Sequence, residues 1–270
     1  MAQTDQFAAE RPGYQWVPTM EQLAQWIADF ERDGFIVLRG LLSPQEAEEM
    51  REQVVQAHNE PDPTGSTSQI YRHQMYLKGR IFEELIDRSP TVDFVEAVLG
   101  ADCHMLSANT VYTGPGQGID RWHVDETVHF PRPPDVPLDP RVPIPCFIIT
   151  ALYYLVDVPM ELGPTQFVPG SHRSGQDARQ DILEYEGRGV ESVIAQAGDC
   201  LLHNGQVWHR GATNMTTDRY RVVQQVTYGR RFIAQRFYPF VNYHMPEDLL
   251  ARSNPRRRRL LGVHPHGPYG

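Results

Sequence analysis

The residues best suited to chemistry form a short motif, Trp122-His123-Val124-Asp125-Glu126. Successive side chains of a β-strand point to opposite faces, so within a strand His123 and Asp125 would share one face, about 6–7 Å apart. An imidazole and a carboxylate at this spacing can occupy two adjacent positions around one metal ion. The motif alone is a weak signal, because the sequence contains eleven histidines. Histidines close to the motif or on candidate strands offer rival ligands: His104, His129 and His203.

The best candidate for a third ligand is His209, in the segment Gln206-Val207-Trp208-His209-Arg210-Gly211. Asn204-Gly205 is typical of a tight turn, and we therefore predict a hairpin of residues 200–203 and 206–209 that ends at His209. Two histidines and one carboxylate on one face leave three metal positions open. This is the ligand set of non-haem Fe(II) oxygenases, in which a keto acid and dioxygen take the open positions.

A ferrous ion held by two neutral imidazoles and one carboxylate keeps a net positive charge, which attracts a dianionic keto acid. The far carboxylate of that dianion needs a cation of its own. Arg221 begins the predicted strand 221–228, and its guanidinium matches a carboxylate with two parallel hydrogen bonds. The sequence therefore indicates a keto-acid site between the metal ligands and Arg221.

Composition narrows the class of protein. The 270 residues carry 25 Lys and Arg against 34 Asp and Glu, a net charge of −9, which disfavours general nucleic-acid binding. No apolar run approaches the ~18 residues of a membrane span, and the polar opening, residues 1–16, argues against a signal peptide. Three scattered cysteines do not suggest a disulfide framework. We expect a cytoplasmic, single-domain protein without a membrane or nucleic-acid partner; its oligomeric state is left open.

Capping signals predict helices in the first hundred residues. Thr19 and Gln22 form a capping box before Met20–Asp33, and Gly34 ends that helix. Further helices are predicted from Ser43-Pro44 to about His58 and from Ser89-Pro90 to Leu99. Residues 35–39 read as a buried strand and residues 59–68 as a loop.

After Gly100 the helical periodicity fades and short β-branched or aromatic runs follow one another. They predict strands at residues 103–113, 147–155, 166–169, 193–195, 200–203, 207–209 and 221–228. We expect an α+β fold with a barrel or double-sheet β core at about 101–240, buttressed by amino-terminal helices at about 19–100 and followed by a tail at 241–270. Residues 131–145 contain seven prolines and form either a lid or a surface insertion. For the four arginines at 256–259 we favour a solvated face over a basic contact patch.

Four segments carry a resemblance to a known family. Residues 30–40 are similar to its helix-into-strand signature, and Trp122 to Asp125 resemble its first metal motif. Gly163-Pro164-Thr165 with residues 168–173 resembles its "NGPT…VPGSHR" segment, and residues 198–203 leading to Trp208-His209 are similar to the run before its distal histidine. On these segments the chain is identified as a member of the phytanoyl-CoA dioxygenase family of Fe(II)/2-oxoglutarate oxygenases.

The resemblance implies a double-stranded β-helix (jelly-roll, cupin-like) core. It also implies that His123, Asp125 and His209 bind Fe(II) and that 2-oxoglutarate and O2 are co-substrates. Relatives that halogenate carry Ala or Gly at the position of Asp125, so this chain is expected to oxygenate. His172, although it lies within the recognisable segment, is expected to brace a turn.

The family's arginine anchor for 2-oxoglutarate follows the distal histidine by eleven residues. That position is Tyr220 here, flanked by Arg219 and Arg221; we choose Arg221 because it opens the strand. Further 2-oxoglutarate contacts match Asn109 and Thr165, with Met105 a weaker candidate; a strand-end hydrogen bond is the alternative role of Asn109 and Thr165. This chain departs from the family at two places. Asp120 stands where one branch has Gln, and Gly211 where a small hydroxylated residue is common.

The predicted reaction is hydroxylation of an unactivated C–H bond of a free small molecule, as in specialised metabolism, with succinate and CO2 as co-products. Desaturation, epimerisation or endoperoxide formation are alternatives with the same cofactors. More remote alternatives are a zinc hydrolase, for which Glu126 is badly placed as a base, a non-catalytic cupin-like module and a structural domain. Aromatic side chains that line either a substrate pocket or the core are Phe130, Tyr153, Tyr154 and Trp208.

Overall fold

The computed structural model describes residues 16–134, 136, 138–139 and 141–264. The polar opening before residue 16, three positions of the proline-rich segment and the last six residues of the predicted tail lie outside the described residues. The predicted division into a helical part, a β core and a tail within one domain stays a prediction. No helix in the described part of the chain has the length and apolar character needed to cross a bilayer.

Six α-helices are described. They are α1 (Met20–Asp33), α2 (Pro44–His58), α3 (Arg80–Leu85), α4 (Thr91–Leu99), α5 (Glu247–Arg252) and α6 (Pro255–Leu260). The capping boxes at Thr19 and Ser43 are confirmed, and Gly34 ends α1 at a φ of 85°. The predicted cap at Ser89 is wrong, because α4 begins at Thr91 after Pro90, which makes no side-chain capping bond.

In the described part of the chain, ten strands form two sheets. They are β1 (Phe35–Leu38), β2 (Tyr71–Arg72), β3 (His104–Thr113), β4 (Ile119–His123), β5 (Ile148–Tyr154), β6 (Thr165–Phe167), β7 (Glu191–Val193), β8 (Cys200–Asn204), β9 (His209–Gly211) and β10 (Arg221–Gly229). The large sheet has the order β1-β8-β5-β10-β3-β2, and the small sheet has the order β4-β9-β6-β7. All of these pairings are antiparallel.

The large sheet buries both of its faces. On one face Ile149 and Tyr228 pack with Phe94 and other helical residues in the larger hydrophobic cluster. On the other face Phe35 stacks on Phe167 of the small sheet at a ring-centroid distance of 4.3 Å, within a second cluster shared by both sheets. The molecule is therefore a two-sheet β core with helices on one side, as the sequence predicts.

The predicted hairpin of residues 200–203 and 206–209 is wrong. β8 pairs with β1 and β5 in the large sheet, whereas β9 pairs with β4 and β6 in the small one. The Asn204-Gly205 turn thus carries the chain from one sheet to the other. This connection brings His209 to the edge of the interior between the sheets.

The arginine run at 256–259 does not form a solvated face. Three of its four members pair with acidic residues of α4 and the segment before it: Arg256 with Asp93 and Glu96, Arg257 with Asp87, and Arg259 with Glu96. The described residues of the proline-rich segment form no helix or strand. Arg132 ties that segment to the loop at Gly175 by a backbone hydrogen bond of 3.0 Å.

Candidate metal centre

The structure brings the three predicted metal ligands together. His123 is the last residue of β4 and lies directly opposite His209, the first residue of β9, with ring centroids 4.3 Å apart. The ligand atoms of His123, Asp125 and His209 all lie within 4.8 Å of one another. Asp125 lies beyond the end of β4, not on a strand as predicted, and its backbone N–H donates to the carbonyl oxygen of Gly205 at 2.8 Å. The inter-sheet turn thus positions the carboxylate.

Both histidines present the same ring nitrogen to this cluster. Nδ1 of His123 lies 2.8 Å from the carbonyl oxygen of Arg121, and Nδ1 of His209 lies 2.9 Å from that of Val207. A carbonyl only accepts, so each Nδ1 carries a proton, and in the neutral imidazole Nε2 then keeps its lone pair. Nε2 of His209 lies 3.4 Å from Oδ1 of Asp125. This is the tautomer that metal-binding histidines adopt.

The electrostatics favour a bound cation. Burial alone would raise the pKa of Asp125, but the nearby imidazoles, His209 foremost, lower it well below its ordinary value. Burial together with the charge of His209 lowers the pKa of His123. Burial would also lower the pKa of His209, but the Asp125 carboxylate raises it above its ordinary value. An ionised carboxylate beside two imidazoles is a donor set that suits iron.

Three rival histidines lie outside the cluster. His203 is buried, with Nε2 3.9 Å from Oδ2 of Asp125, and burial lowers its pKa to about 4. His104 contacts His264 and the carbonyl oxygen of Ile233. His129 packs on the ring of Phe147. Within the described part of the chain, no other group of three His, Cys, Asp or Glu side chains lies close enough to hold a metal.

His172 contacts the end of α1, away from the cluster. Its Nε2 donates to the carbonyl oxygen of Glu31 at 3.1 Å. This contact agrees with the expected bracing role.

Arg221 and Arg219 have different surroundings. Arg221 opens β10, is 3% exposed and donates from Nη1 to the carbonyl oxygen of Ala212 at 3.0 Å. Arg219 is exposed and pairs with Glu161 at 2.8 Å. A Cβ on Gly211 would lie 2.8 Å from Nη2 of Arg221, so the absence of a side chain there makes room for the guanidinium. The departure from the family pattern at position 211 thus has a steric reason.

Two tyrosines lie close to Arg221, and Thr165 joins one of them. Oγ1 of Thr165 lies 2.8 Å from the hydroxyl of Tyr154, and both residues are buried. Burial raises the pKa of Tyr154 to about 12, against the effect of Arg221. Burial also raises the pKa of Tyr71, which lies within the electrostatic range of both Asp125 and Arg221. Sequence reasoning missed Tyr71, because a two-residue strand gives no periodic signal.

Asn109 and Met105 lie on opposite faces of β3. Asn109 pairs with Gln225 of β10, and its Oδ1 accepts a hydrogen bond from the backbone N–H of Gln74 at 3.3 Å. Met105 pairs with Tyr228 on the face that packs against the helices. A bulge in this pairing reverses the alternation of side chains before Ser107. The prediction of Met105 as a 2-oxoglutarate contact is therefore wrong.

A cavity of about 510 Å³ adjoins the interior of the β core. Its lining combines short polar side chains with aromatic rings: Thr64, Ser66, His73, Gln74, Tyr76, Ser107, Asn109, Arg236, Phe237, Tyr238 and Phe240. Ser107 pairs with Thr227, and Thr227 pairs with Thr150, whose hydroxyl contacts Asp125. Neighbouring strands are about 4.8 Å apart, so Ser107 in the cavity wall lies two strands, or roughly 10 Å, from Thr150 beside the metal cluster.

The four aromatic residues predicted to line either a pocket or the core do not line this cavity. Tyr153 is fully buried on the helix-facing side, and Tyr154 lies in the cluster between the sheets. Trp208 packs with Trp122, and its indole N–H donates to the carbonyl oxygen of Gln176 at 2.9 Å. Phe130 is exposed and contacts Phe147. Except for Phe130, these rings belong to the core.

Two facing antiparallel sheets that hold a His-Asp-His cluster are typical of non-haem iron oxygenases. The chain belongs to the phytanoyl-CoA dioxygenase (PhyH) family, whose model matches residues 30–223. It is 27% identical over 264 residues to Dioxygenase FUM3 of Gibberella moniliformis, covering 88% of this chain and 82% of that protein. It is 24% identical over 276 residues to Multifunctional dioxygenase ausE of Aspergillus calidoustus, covering 94% and 88%. The chain is thus an Fe(II)/2-oxoglutarate-dependent dioxygenase, with O2 as the oxidant.

Solved structures share the fold. HygX from Streptomyces hygroscopicus, with nickel and 2-oxoglutarate bound, matches with a TM-score of 0.62 at 18% identity, over 82% of this chain and 90% of that one. The epimerase SnoN, in complex with Fe3+, alpha ketoglutarate and nogalamycin RO, matches with a TM-score of 0.59 at 22% identity, over 80% and 86%. These likenesses establish the jelly-roll core predicted from the sequence.

Proposed function

We propose that the enzyme hydroxylates an unactivated C–H bond of a small molecule and that His123, Asp125 and His209 hold its ferrous ion. The observation that carries the ligand assignment is the convergence of these three side chains within 4.8 Å. The hydrogen bonds at both Nδ1 atoms support it, because they fix the imidazoles with Nε2 available for the metal.

The alternative function of a zinc hydrolase would need a general base in addition to the metal ligands. Glu126 does not fill that role, since it pairs with Arg236.

The iron supplies the dioxygen chemistry, in which 2-oxoglutarate is oxidised to succinate and CO2 and the substrate gains a hydroxyl group. The protein binds and orients the reactants. Arg221 is the proposed anchor for the far carboxylate of 2-oxoglutarate, because it is buried, charged and close to Tyr71 and Tyr154. The hydroxyl of Thr165, held by Tyr154, is positioned beside it as a further donor. These buried side chains also exclude water from the keto acid.

We assign the cavity of about 510 Å³ to the substrate, since its size suits a drug-sized ligand. Asn109 then lies between the two sites as a contact for either ligand. Arg236, the one Lys or Arg among the described lining residues, is already paired with Glu126, and His73 is paired with Asp62 at 3.0 Å. Hydroxyl, amide and aromatic groups make up the rest. This lining suits a neutral ring compound with several oxygen atoms.

The same lining disfavours an acyl-coenzyme A thioester. The phosphates of coenzyme A need cationic partners, and the described lining residues provide none beyond the paired Arg236. A role in specialised metabolism and a location in the cytoplasm are part of this proposal. The buried, unpaired state of all three cysteines is consistent with that location.

Two experiments test the proposal. Anaerobic addition of Fe(II) and 2-oxoglutarate should produce a weak visible charge-transfer band, which Asp125→Ala should abolish; a band of unchanged intensity in that variant would refute the ligand assignment. Succinate release is then compared between phytanoyl-CoA and neutral oxygenated ring compounds. With phytanoyl-CoA we expect succinate to be released at the same rate as without any substrate. An increase in that rate on addition of the thioester would refute the assigned substrate class.

A further inference from the structure

A chain of two threonine hydroxyls ends at the carboxylate of Asp125. Oγ1 of Thr150 lies 3.2 Å from Oδ2 of Asp125, and Oγ1 of Thr227 lies 3.4 Å from Oγ1 of Thr150. Thr150 and Thr227 are directly paired residues of β5 and β10, and they are 3% and 7% exposed. Both hydroxyls are therefore fixed by a rigid part of the large sheet.

The direction of this chain follows from the chemistry of its end. An ionised carboxylate only accepts hydrogen bonds, so the Thr150 hydroxyl donates to Asp125. Its single proton is then used, and it accepts from the hydroxyl of Thr227. The hydroxyl of Thr227 thus orients the hydroxyl of Thr150, which in turn points its proton at Oδ2 of Asp125.

The two oxygens of Asp125 consequently have different partners. Oδ1 lies 3.4 Å from Nε2 of His209, on the side of the proposed ligands. Oδ2 is turned toward Thr150, with Nε2 of His203 at 3.9 Å. A carboxylate free to rotate would offer both oxygens to a metal. Here one oxygen is already engaged by the protein.

We propose that Thr150, supported by Thr227, is a positioning residue that restricts Asp125 to a single coordinating oxygen. The inference rests on the proposed function, since it takes Asp125 as an iron ligand. Its consequence is that the carboxylate occupies one coordination position and leaves three for 2-oxoglutarate and dioxygen. A merely structural role for Thr150, satisfying a buried hydroxyl, would affect folding and leave metal binding unchanged.

The test compares Fe(II) affinity among variants of similar shape. Thr150→Val removes the hydroxyl and keeps the volume, whereas Thr150→Ser keeps the hydroxyl. Thr110→Val is the matched control, because Thr110 is a buried threonine on the other face of the same sheet, hydrogen-bonded to His58 at 3.1 Å. Anaerobic Fe(II) titrations are read together with the melting temperature of the metal-free protein and the position of the visible band with 2-oxoglutarate.

We expect T150V to weaken Fe(II) binding about 10- to 100-fold, the usual cost of losing a group that orients a metal ligand. The visible band should shift as well, T150S should restore the wild-type affinity, and T110V should match the wild type. Thr227→Val, which leaves the contact to Asp125 in place, should cause a smaller loss. The proposal is overturned if T150V binds Fe(II) as tightly as the wild type. If T150V does not fold, wild-type Fe(II) affinity in T227V overturns it.

The wild-type titration separates the two levels of inference. If the wild-type protein itself binds no Fe(II), the proposed function fails. If the wild type binds Fe(II), D125A does not and T150V matches the wild type, only the positioning role of Thr150 fails.

Discussion

Replacing Arg221 by Gln should weaken 2-oxoglutarate binding far more than the same change at Arg219. Burial lowers the pKa of Arg221, but a guanidinium remains protonated, so the side chain is a buried cation. Hydrogen bonds to a charged group contribute about 1.5–3 kcal/mol each. Loss of one such contact corresponds to an increase of roughly 10- to 150-fold in the dissociation constant of 2-oxoglutarate, at 1.4 kcal/mol per tenfold change.

Arg219 gives the matched control. Its ion pair with Glu161 joins side chains that are 47% and 55% exposed, and such pairs contribute about 0–1 kcal/mol to stability. It makes no contact with the proposed site, so R219Q should leave 2-oxoglutarate binding unchanged. The assay is a 2-oxoglutarate titration of the Fe(II)-loaded protein under anaerobic conditions, followed by the visible band, with melting temperatures to check folding. Equal weakening in R221Q and R219Q, or a larger effect in R219Q, would refute the choice of anchor.

Three further changes have expected outcomes. Gly211→Ala should raise the KM for 2-oxoglutarate, because its Cβ would lie 2.8 Å from the guanidinium of Arg221. His172→Gln should reduce the acid sensitivity of folding: burial lowers the pKa of His172 to about 4, so stability present above pH 6.5 is lost as the pH falls toward 4, by about 3 kcal/mol. Arg257→Gln should lower the free energy of unfolding by about 1–3 kcal/mol, because its partner Asp87 is 8% exposed.

Each of these changes has a control or a contradicting result. Gly189→Ala adds a Cβ that meets nothing within 4 Å and should leave the KM unchanged. Urea unfolding of the metal-free protein between pH 4 and 7 tests His172; an equal loss of stability in H172Q and the wild type would contradict the buried neutral state. Arg141→Gln alters an arginine that is 88% exposed and should not change stability; an equal effect of R257Q and R141Q would contradict the tethering of α6.

Local signals in the sequence predicted local structure well. The capping boxes at Thr19 and Ser43 depend on residues three positions apart, and both form as expected. The two-sheet core follows from strands that are short, β-branched and separated by turn residues. These features need no information about distant parts of the chain.

Apart from the cap predicted at Ser89, the errors arose where the outcome depends on distant partners. The Asn204-Gly205 turn suits a hairpin locally, but the large sheet takes β8 and the small sheet takes β9. The bulge opposite Tyr228 reverses the face of Met105, and alternation alone does not reveal an inserted residue. The arginines of α6 find their partners about 160 residues earlier in the chain.

The same difference between local signals and distant partners applies to the candidate site. Residue types at His123, Asp125 and His209 indicated the donors, and the structure brings them together by a route that differs from the predicted one. Asp125 lies in a bend and is positioned by Gly205 and Thr150. The sequence marks Gly205 only as a turn residue and gives no signal for Thr150. The contacts that orient the donors therefore became visible only in the folded molecule.

The most direct test of the central claim is anomalous diffraction at the iron absorption edge, on crystals prepared anaerobically with Fe(II) and 2-oxoglutarate. A single iron peak should lie within bonding distance of Nε2 of His123, Nε2 of His209 and Oδ1 of Asp125. An iron ion bound through His203, or an iron peak beyond bonding distance of any one of these three atoms, would contradict the proposed ligand set.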